Sequence, residues 1–341
     1  MPNSGRSPAI DALRTLAVLG MMAAHTSRLI AFNSRPQWSN WVLTLEPLIP
    51  SLFLFLVGVS LTYSISKSEN PKAWYTRQVK RASGLWLISA LFFALEEGIR
   101  LPDVFLASGI LCTIAYAIAS LGALLLLPRS IGFLALVLFA GAFSFFSLDK
   151  AGTQPFLLLS GNSPLFPLLL FATAGTLWGL AMQRSHRLVI WIALPALLVA
   201  IAMIRHYGWE TLFTYPVGRS DATRILAKPI TGGLEKSVAY YNLRPLLALL
   251  CLCVHLTCLG ALQILSGMKD SVSRRLFVLG RHALEVYVLH LFLLAMLVVS
   301  FGLHPLKTAW QGNAVLFGVV LVCLVWVNWR ETHKNGIFKI K

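Results

Sequence analysis

The sequence predicts an all-α, polytopic integral membrane protein with about ten transmembrane helices, and three observations carry that prediction. Of its 341 residues, 57% are hydrophobic and only 12% are charged, whereas soluble domains carry about 25% charged residues. The mean hydropathy is +0.73. Nearly uncharged runs of roughly 20 residues, the length that crosses a hydrocarbon layer, recur along the whole chain. A water-soluble globule, a coiled coil, a disordered chain and a disulfide-stapled secreted domain are thereby excluded.

The predicted helices lie near 9–31, 42–66, 82–99, 103–127, 130–148, 163–183, 187–204, 243–266, 278–302 and 309–329. The first has weak flanking charge and no small-residue cleavage site after its apolar run, so it reads as a transmembrane helix and not as a cleavable signal peptide. The third closes on Glu96 and Glu97, and the seventh is short. Ten crossings place both termini on one side. The segments on that side hold the 67–81 connection, Arg129, Arg184, Arg187, residues 269–281 and the tail from Arg330. The opposite side holds Arg28, Arg35, Arg100, Lys150, Lys307 and a long 205–242 loop. Lys and Arg collect in cytoplasmic loops, so the termini are expected in the cytoplasm and the loop outside. That loop is itself basic, with Arg205, Arg219, Arg224, Lys228 and Lys236, which suggests an anionic ligand or lipid headgroups. The net charge of +16 follows from orientation in the membrane, and no nucleic-acid partner is expected. Cys112, Cys251, Cys253, Cys258 and Cys323 all sit inside apolar runs and read as buried free thiols. With no soluble insert, low-complexity tract or repeat, residues 1–341 read as a single membrane domain.

Ionisable groups at membrane depth are costly and are functional candidates by default. On the first helix, Arg14 and His25 lie eleven residues apart, close to three full turns, so they share a face about 16 Å apart along the axis. Asp11 is within pairing reach of Arg14. This stripe is either a helix-end salt bridge plus a hydrogen-bonded histidine, or a line from a cytoplasmic ion pair to a reactive imidazole in the outer leaflet. On the ninth helix, Arg281 and Glu285 are spaced to pair, as are Tyr287 and His290. Such groups hold helices together as readily as they do chemistry. His255 stands alone among apolar residues. Glu96 and Glu97 either form a solvated helix end with Arg100 or supply a carboxylate that orients a histidine. Arg77, Lys80 and Arg81 either orient their loop or cradle phosphates arriving from the cytoplasm. No metal is expected.

Several segments resemble known families. "IDALRTLAVLGMMAAH" (10–25) is similar to the first helix of the acyltransferase-3 family, with Arg14 and His25 at its Arg-x10-His spacing. "LFLFLVGVSL" (52–61) resembles that family's Phe-rich second helix, and "RQVKR" (77–81) its arginine motif, with Lys80 in place of an arginine. "SGILCTIAYA" (108–117), "SPLFPLLLFATAGTLWG" (163–179) and "LGRHALEVYVLH" (279–290) resemble the heparan-alpha-glucosaminide N-acetyltransferase-like bacterial membrane proteins. The chain departs from the lysosomal members, whose catalytic histidine lies in the first outer loop, in having no histidine in "SRPQW" (34–38), and from the bacterial members in having Cys112 where a histidine is common.

The resemblance implies ten helices in a bacterial inner membrane. It also implies an acyl group, acetyl in the first instance, taken from cytoplasmic acyl-CoA and delivered to a hydroxyl or amine of an outer glycan, glycolipid or amino sugar. His25 would be the catalytic histidine, with Glu96 or Glu97 orienting it. Arg14, Arg77, Lys80, Arg81, Arg281, Tyr287 and His290 would line or hold the CoA. The rival from the residues alone is a transporter or flippase whose Arg14, His25 and His290 form a proton or substrate path. An inert structural subunit is the third option. Acceptor identity, acyl-chain length, direct transfer against an acyl-histidine, and oligomeric assembly stay open at this level.

Overall fold

The structure, a computed structural model, describes residues 8–97, 99, 103–106, 109–151, 165–208, 212, 245–264, 277–302 and 305–337. These residues form α-helices with no β-strand among them. In chain order the helices are α1 (Pro8–Leu29), α2 (Gln37–Thr44), α3 (Leu48–Ile65), α4 (Pro71–Glu97), α5 (Asp103–Leu106), α6 (Ile110–Leu125) and α7 (Ser130–Ala151). They continue with α8 (Leu165–Arg184), α9 (His186–Tyr207), α10 (Pro245–Ile264), α11 (Val278–Arg281), α12 (Ala283–Phe301) and α13 (Ala309–Ile337).

A helix therefore occupies each expected segment, with three breaks and several extensions, the longest at the start of the third helix. The 42–66 run divides at Leu45–Pro47, because the residue before a proline is driven out of the helical region. The 103–127 run divides ahead of Gly109, whose φ is 100°. The 278–302 run divides at His282, which leaves the helical region at φ −111°, ψ 24°. The third helix begins eleven residues earlier than expected, at Pro71. Proline suits a first helical position, and the side chain of Asn70 caps this end by accepting from the Ala73 N–H at 3.0 Å. Arg77, Lys80 and Arg81 thus ride on the opening turns of a helix and not in a loop. Helix α13 starts on a reciprocal cap. Thr308 Oγ1 accepts from the Gln311 N–H at 3.2 Å, and Gln311 Oε1 accepts from the Thr308 N–H at 3.1 Å. Gly302, left-handed at φ 59°, ends α12.

Five described helices are long and apolar enough to cross a membrane, at Leu48–Ile65, Leu188–Tyr207, Leu246–Gln263, Ala283–Ser300 and Ala309–His333. Large apolar side chains lie open on them, with Trp191 75%, Phe317 71% and Val299 82% exposed. Water would penalise such surfaces, but hydrocarbon accepts them. The fold is an all-α membrane protein, and ten crossings stay the expected count. Most of the 205–242 loop lies outside the described residues.

The chain divides into two compact units, Ser51–Cys258 and the combination of Met1–Pro50 with Leu259–Lys341. In the first, α3 and α8 cross at glycines. A Cβ on Gly58 would stand 1.9 Å from the Ala172 carbonyl oxygen, one on Gly175 1.9 Å from that of Phe55, and one on Gly179 1.9 Å from Thr62 Oγ1. Gly175 and Gly179 form a G-x-x-x-G pair, the spacing that lets membrane helices approach backbone to backbone. In the same unit, His255 is not alone: its Nε2 lies 2.8 Å from Ser51 Oγ, between the rings of Phe55 and Phe171. Of the five free cysteines, four are buried, whereas Cys258 is exposed.

In the second unit α1 is the central helix, buried along most of its length, with α2, α11, α12 and α13 packed on it. Near its C-terminal end, Ile30 bridges Leu306 in parallel, and Trp38 Nε1 donates to Asn313 Oδ1 at 2.8 Å.

The glycine crossing yields a paired expectation for thermal melting in nanodiscs. Gly175→Ala should lower stability by about 1–3 kcal/mol through forced backbone separation. Gly84→Ala, where a Cβ meets nothing within 4 Å, should change it by less than about 1 kcal/mol, with alanine the better helix former.

Candidate active site

The candidate site lies in the unit built around α1, and its register is set by one backbone contact. Gly280 of α11 donates its N–H to Thr15 Oγ1 at 3.0 Å, and Thr15 Oγ1 donates in turn to the Asp11 carbonyl at 2.9 Å. A Cβ on Gly280 would stand 2.0 Å from that carbonyl oxygen, so only glycine lets the two backbones meet here. Ten residues further along the chain on both sides, about 15 Å of rise on α1, His25 meets His290. Contacts that advance together on both helices mean that α1 and α12 run parallel. Seven intervening crossings in the expected topology give the same parity.

At the Gly280 end the charges are paired. Arg14 Nη1 lies 3.3 Å from Asp11 Oδ1. The spacing of Arg281 and Glu285 suggested a second pair, but the break at His282 takes the two out of helical register. Arg281 instead grips Glu331 of α13 with two bonds, at 3.0 and 3.1 Å. His282 Nε2 lies 3.2 Å from the same carboxylate. Glu285 pairs with Arg330 and lies 3.5 Å from His282 Nδ1. Among the described residues, Arg281 and Arg330 are set against Glu285 and Glu331, so these four side chains balance one another in charge.

At the other level, His25 Nδ1 and His290 Nε2 are 3.0 Å apart. Their ring centroids are 5.2 Å apart and their planes 18° from parallel, so the two rings meet edge to edge through these nitrogens. His290 is 0% exposed, its Nδ1 lies 3.1 Å from the Val286 carbonyl oxygen, and the Tyr287 ring meets it edge-on at 5.3 Å. His25 is half-buried. Beyond it, Arg28 pairs with Glu46 in the break between α2 and α3. The stripe along α1 thus carries an ion pair at one end and a two-histidine pair near the other.

The remaining expected residues belong to the other unit. Arg77, Lys80 and Arg81 are exposed on one face of α4 at i, i+3 and i+4 spacing. Glu96 and Glu97 end α4, and their side chains lie outside the described residues. Cys112 is buried, with Sγ 3.5 Å from the Phe105 carbonyl oxygen, which also accepts from Trp86 Nε1 and the Tyr116 hydroxyl at 2.8 Å each. Four groups had no sequence signal as site residues: Glu331 and Arg330 in the tail, Gly280, and the Val286 carbonyl. Their partners are distant in the chain or are backbone atoms.

A membrane protein that is helical throughout its described residues, with a half-buried imidazole hydrogen-bonded to a buried one, defines a class when set beside the family matches, and that class is membrane acyltransferase. Residues 6–218 match the heparan-alpha-glucosaminide N-acetyltransferase catalytic family, and residues 165–335 match the OpgC protein family. The first match spans more than half of the chain, which belongs to the heparan-alpha-glucosaminide N-acetyltransferase catalytic family. No curated protein matches it. The Arg14-x10-His25 spacing rests on the sequence resemblance alone.

Replacing Gly280 with alanine should separate α11 from α1. We expect lower thermal stability, by about 1–3 kcal/mol, together with loss of any activity that needs His25 and His290 in register.

Proposed function

We propose that the protein transfers an acyl group, acetyl in the first instance, from cytoplasmic acyl-CoA to a hydroxyl or amine of an extracytoplasmic acceptor. The acceptor class is a glycan, glycolipid or amino sugar, and the setting is a bacterial inner membrane with both termini in the cytoplasm. The single observation that carries this reading is the half-buried His25 imidazole, hydrogen-bonded to His290 in the part of α1 that the family match includes.

Acyl transfer from a thioester needs a base for the incoming nucleophile, and a neutral imidazole suits that task near pH 7. In the proposed step the acceptor oxygen or nitrogen attacks the thioester carbonyl carbon while His25 takes its proton. The tetrahedral centre then collapses, the carbon–sulfur bond breaks, and the CoA thiolate leaves with the proton from the imidazolium. The products are the ester or amide and free CoA, with neutral His25 restored. Arg77, Lys80 and Arg81 hold CoA phosphates, for which a basic fork on one helix face is suited. Arg14, Arg281, Tyr287 and His290 are proposed to line its path, and Glu96 or Glu97 to supply a carboxylate at the acceptor side.

Purified protein in nanodiscs, given radiolabelled acetyl-CoA and an amino-sugar acceptor, should release CoA and acetylate the sugar. His25→Ala should reduce the rate by at least about 100-fold while the melting temperature stays close to wild type. Full activity in that variant overturns the assignment, and proton-coupled uptake without CoA dependence favours transport instead. The triple change Arg77→Gln, Lys80→Gln and Arg81→Gln should raise KM for acetyl-CoA about tenfold or more, as expected from lost charged hydrogen bonds, with kcat little altered.

A further inference from the structure

We propose that His290 is a positioning residue: it fixes the tautomer of His25 so that the basic nitrogen of His25 is Nε2. The inference rests on the acyl-transfer reading above and assigns His290 a part other than lining the CoA path.

The proton positions follow from the acceptors. The Val286 carbonyl has no hydrogen to give, so His290 Nδ1, 3.1 Å away, must carry one. His290 is 0% exposed and faces the Tyr287 ring. No carboxylate contacts His290 among the described residues, and Glu46 beyond His25 is paired to Arg28. An imidazolium at this buried position would lack a contacting anion among those residues, so His290 is taken as neutral, with a lone pair on Nε2. That lone pair meets His25 Nδ1 at 3.0 Å. Two lone pairs cannot face each other at that distance, so His25 Nδ1 carries the hydrogen and donates it. Neutral His25 then has its own lone pair on Nε2, which makes no hydrogen bond among the described residues.

The geometry is over-determined. Val286 lies one turn before His290 on the same helix, so the carbonyl that sets the first tautomer is delivered by the helix itself. The ring planes lie only 18° apart, which keeps the N–H···N bond between them near the plane of both rings, and the Tyr287 edge packs on His290. Histidines that act as bases commonly take their orientation from a hydrogen bond at the other ring nitrogen. Here the orienting group is an imidazole and not a carboxylate.

The test uses the full chain in nanodiscs, labelled with ¹⁵N-histidine, and steady-state kinetics with acetyl-CoA. In the wild type, the His25 resonances, identified by their loss in His25→Ala, should show hydrogen on Nδ1 and none on Nε2. In His290→Ala, the hydrogen should redistribute to Nε2, and kcat should fall about 100-fold, with KM for acetyl-CoA within about threefold of wild type. His290→Gln sets an amide oxygen where Nε2 stood, so it should restore the Nδ1–H form and bring kcat back to within about tenfold of wild type. Hydrogen on Nε2 of wild-type His25, an unchanged kcat in His290→Ala, or a raised KM with kcat intact would each overturn the proposal. The spectrum requires no turnover. A protein that transfers no acyl group would sink the enzymatic reading, and the spectrum would still decide the tautomer.

Discussion

One close approach governs the candidate site: the backbone of α11 resting on the backbone of α1 at Gly280. A glycine N–H bonded to Thr15, itself bonded to the Asp11 carbonyl, is a contact that no larger residue allows. Because α1 and the following α12 run parallel, fixing them at this point sets where they begin to pair. The meeting of His25 with His290 follows from that anchor together with the rise of α1 and α12 and the break at His282. The same economy operates in the other unit, where Gly58, Gly175 and Gly179 bring α3 and α8 together. In a hydrocarbon medium, burial of apolar surface does little to drive helix association, and close packing carries more of it.

Much of the architecture was legible in the sequence because hydrophobic length is a strong, local signal. Each apolar run became a helix, and the caps at Asn70–Pro71 and Thr308–Gln311 are written in adjacent residues. The breaks at 45–47, before Gly109 and at His282 were less visible, since a proline, a glycine or a histidine inside an apolar run is tolerated as often as it interrupts. Interruption also has consequences for pairing. Arg281 and Glu285 satisfy a helical spacing rule, but the rule lapses when the residue between the two helices is not helical, and Arg281 turns to Glu331 instead.

The site was half legible. His25 was singled out by an ionisable ring at membrane depth and by its phase relative to Arg14. Tyr287 and His290 were visible as a spaced pair, and their edge-on contact agrees with that spacing. What spacing within one helix does not encode is which helix lies opposite. His255 likewise looked solitary until α3 brought Ser51 to it. Contacts between segments hundreds of residues apart need the fold.

Helix α13 gives the site a mechanical character. One end is tied through Trp38 to Asn313, beside the Ile30 bridge. The other is tied through Arg281 and His282 to Glu331, beside the Gly280 contact. The span between these ties is about 27 Å, close to the thickness of the hydrocarbon layer. A strut pinned at both ends resists sliding of α12 along α1, so the distance between His25 and His290 is held by the backbone as well as by their hydrogen bond.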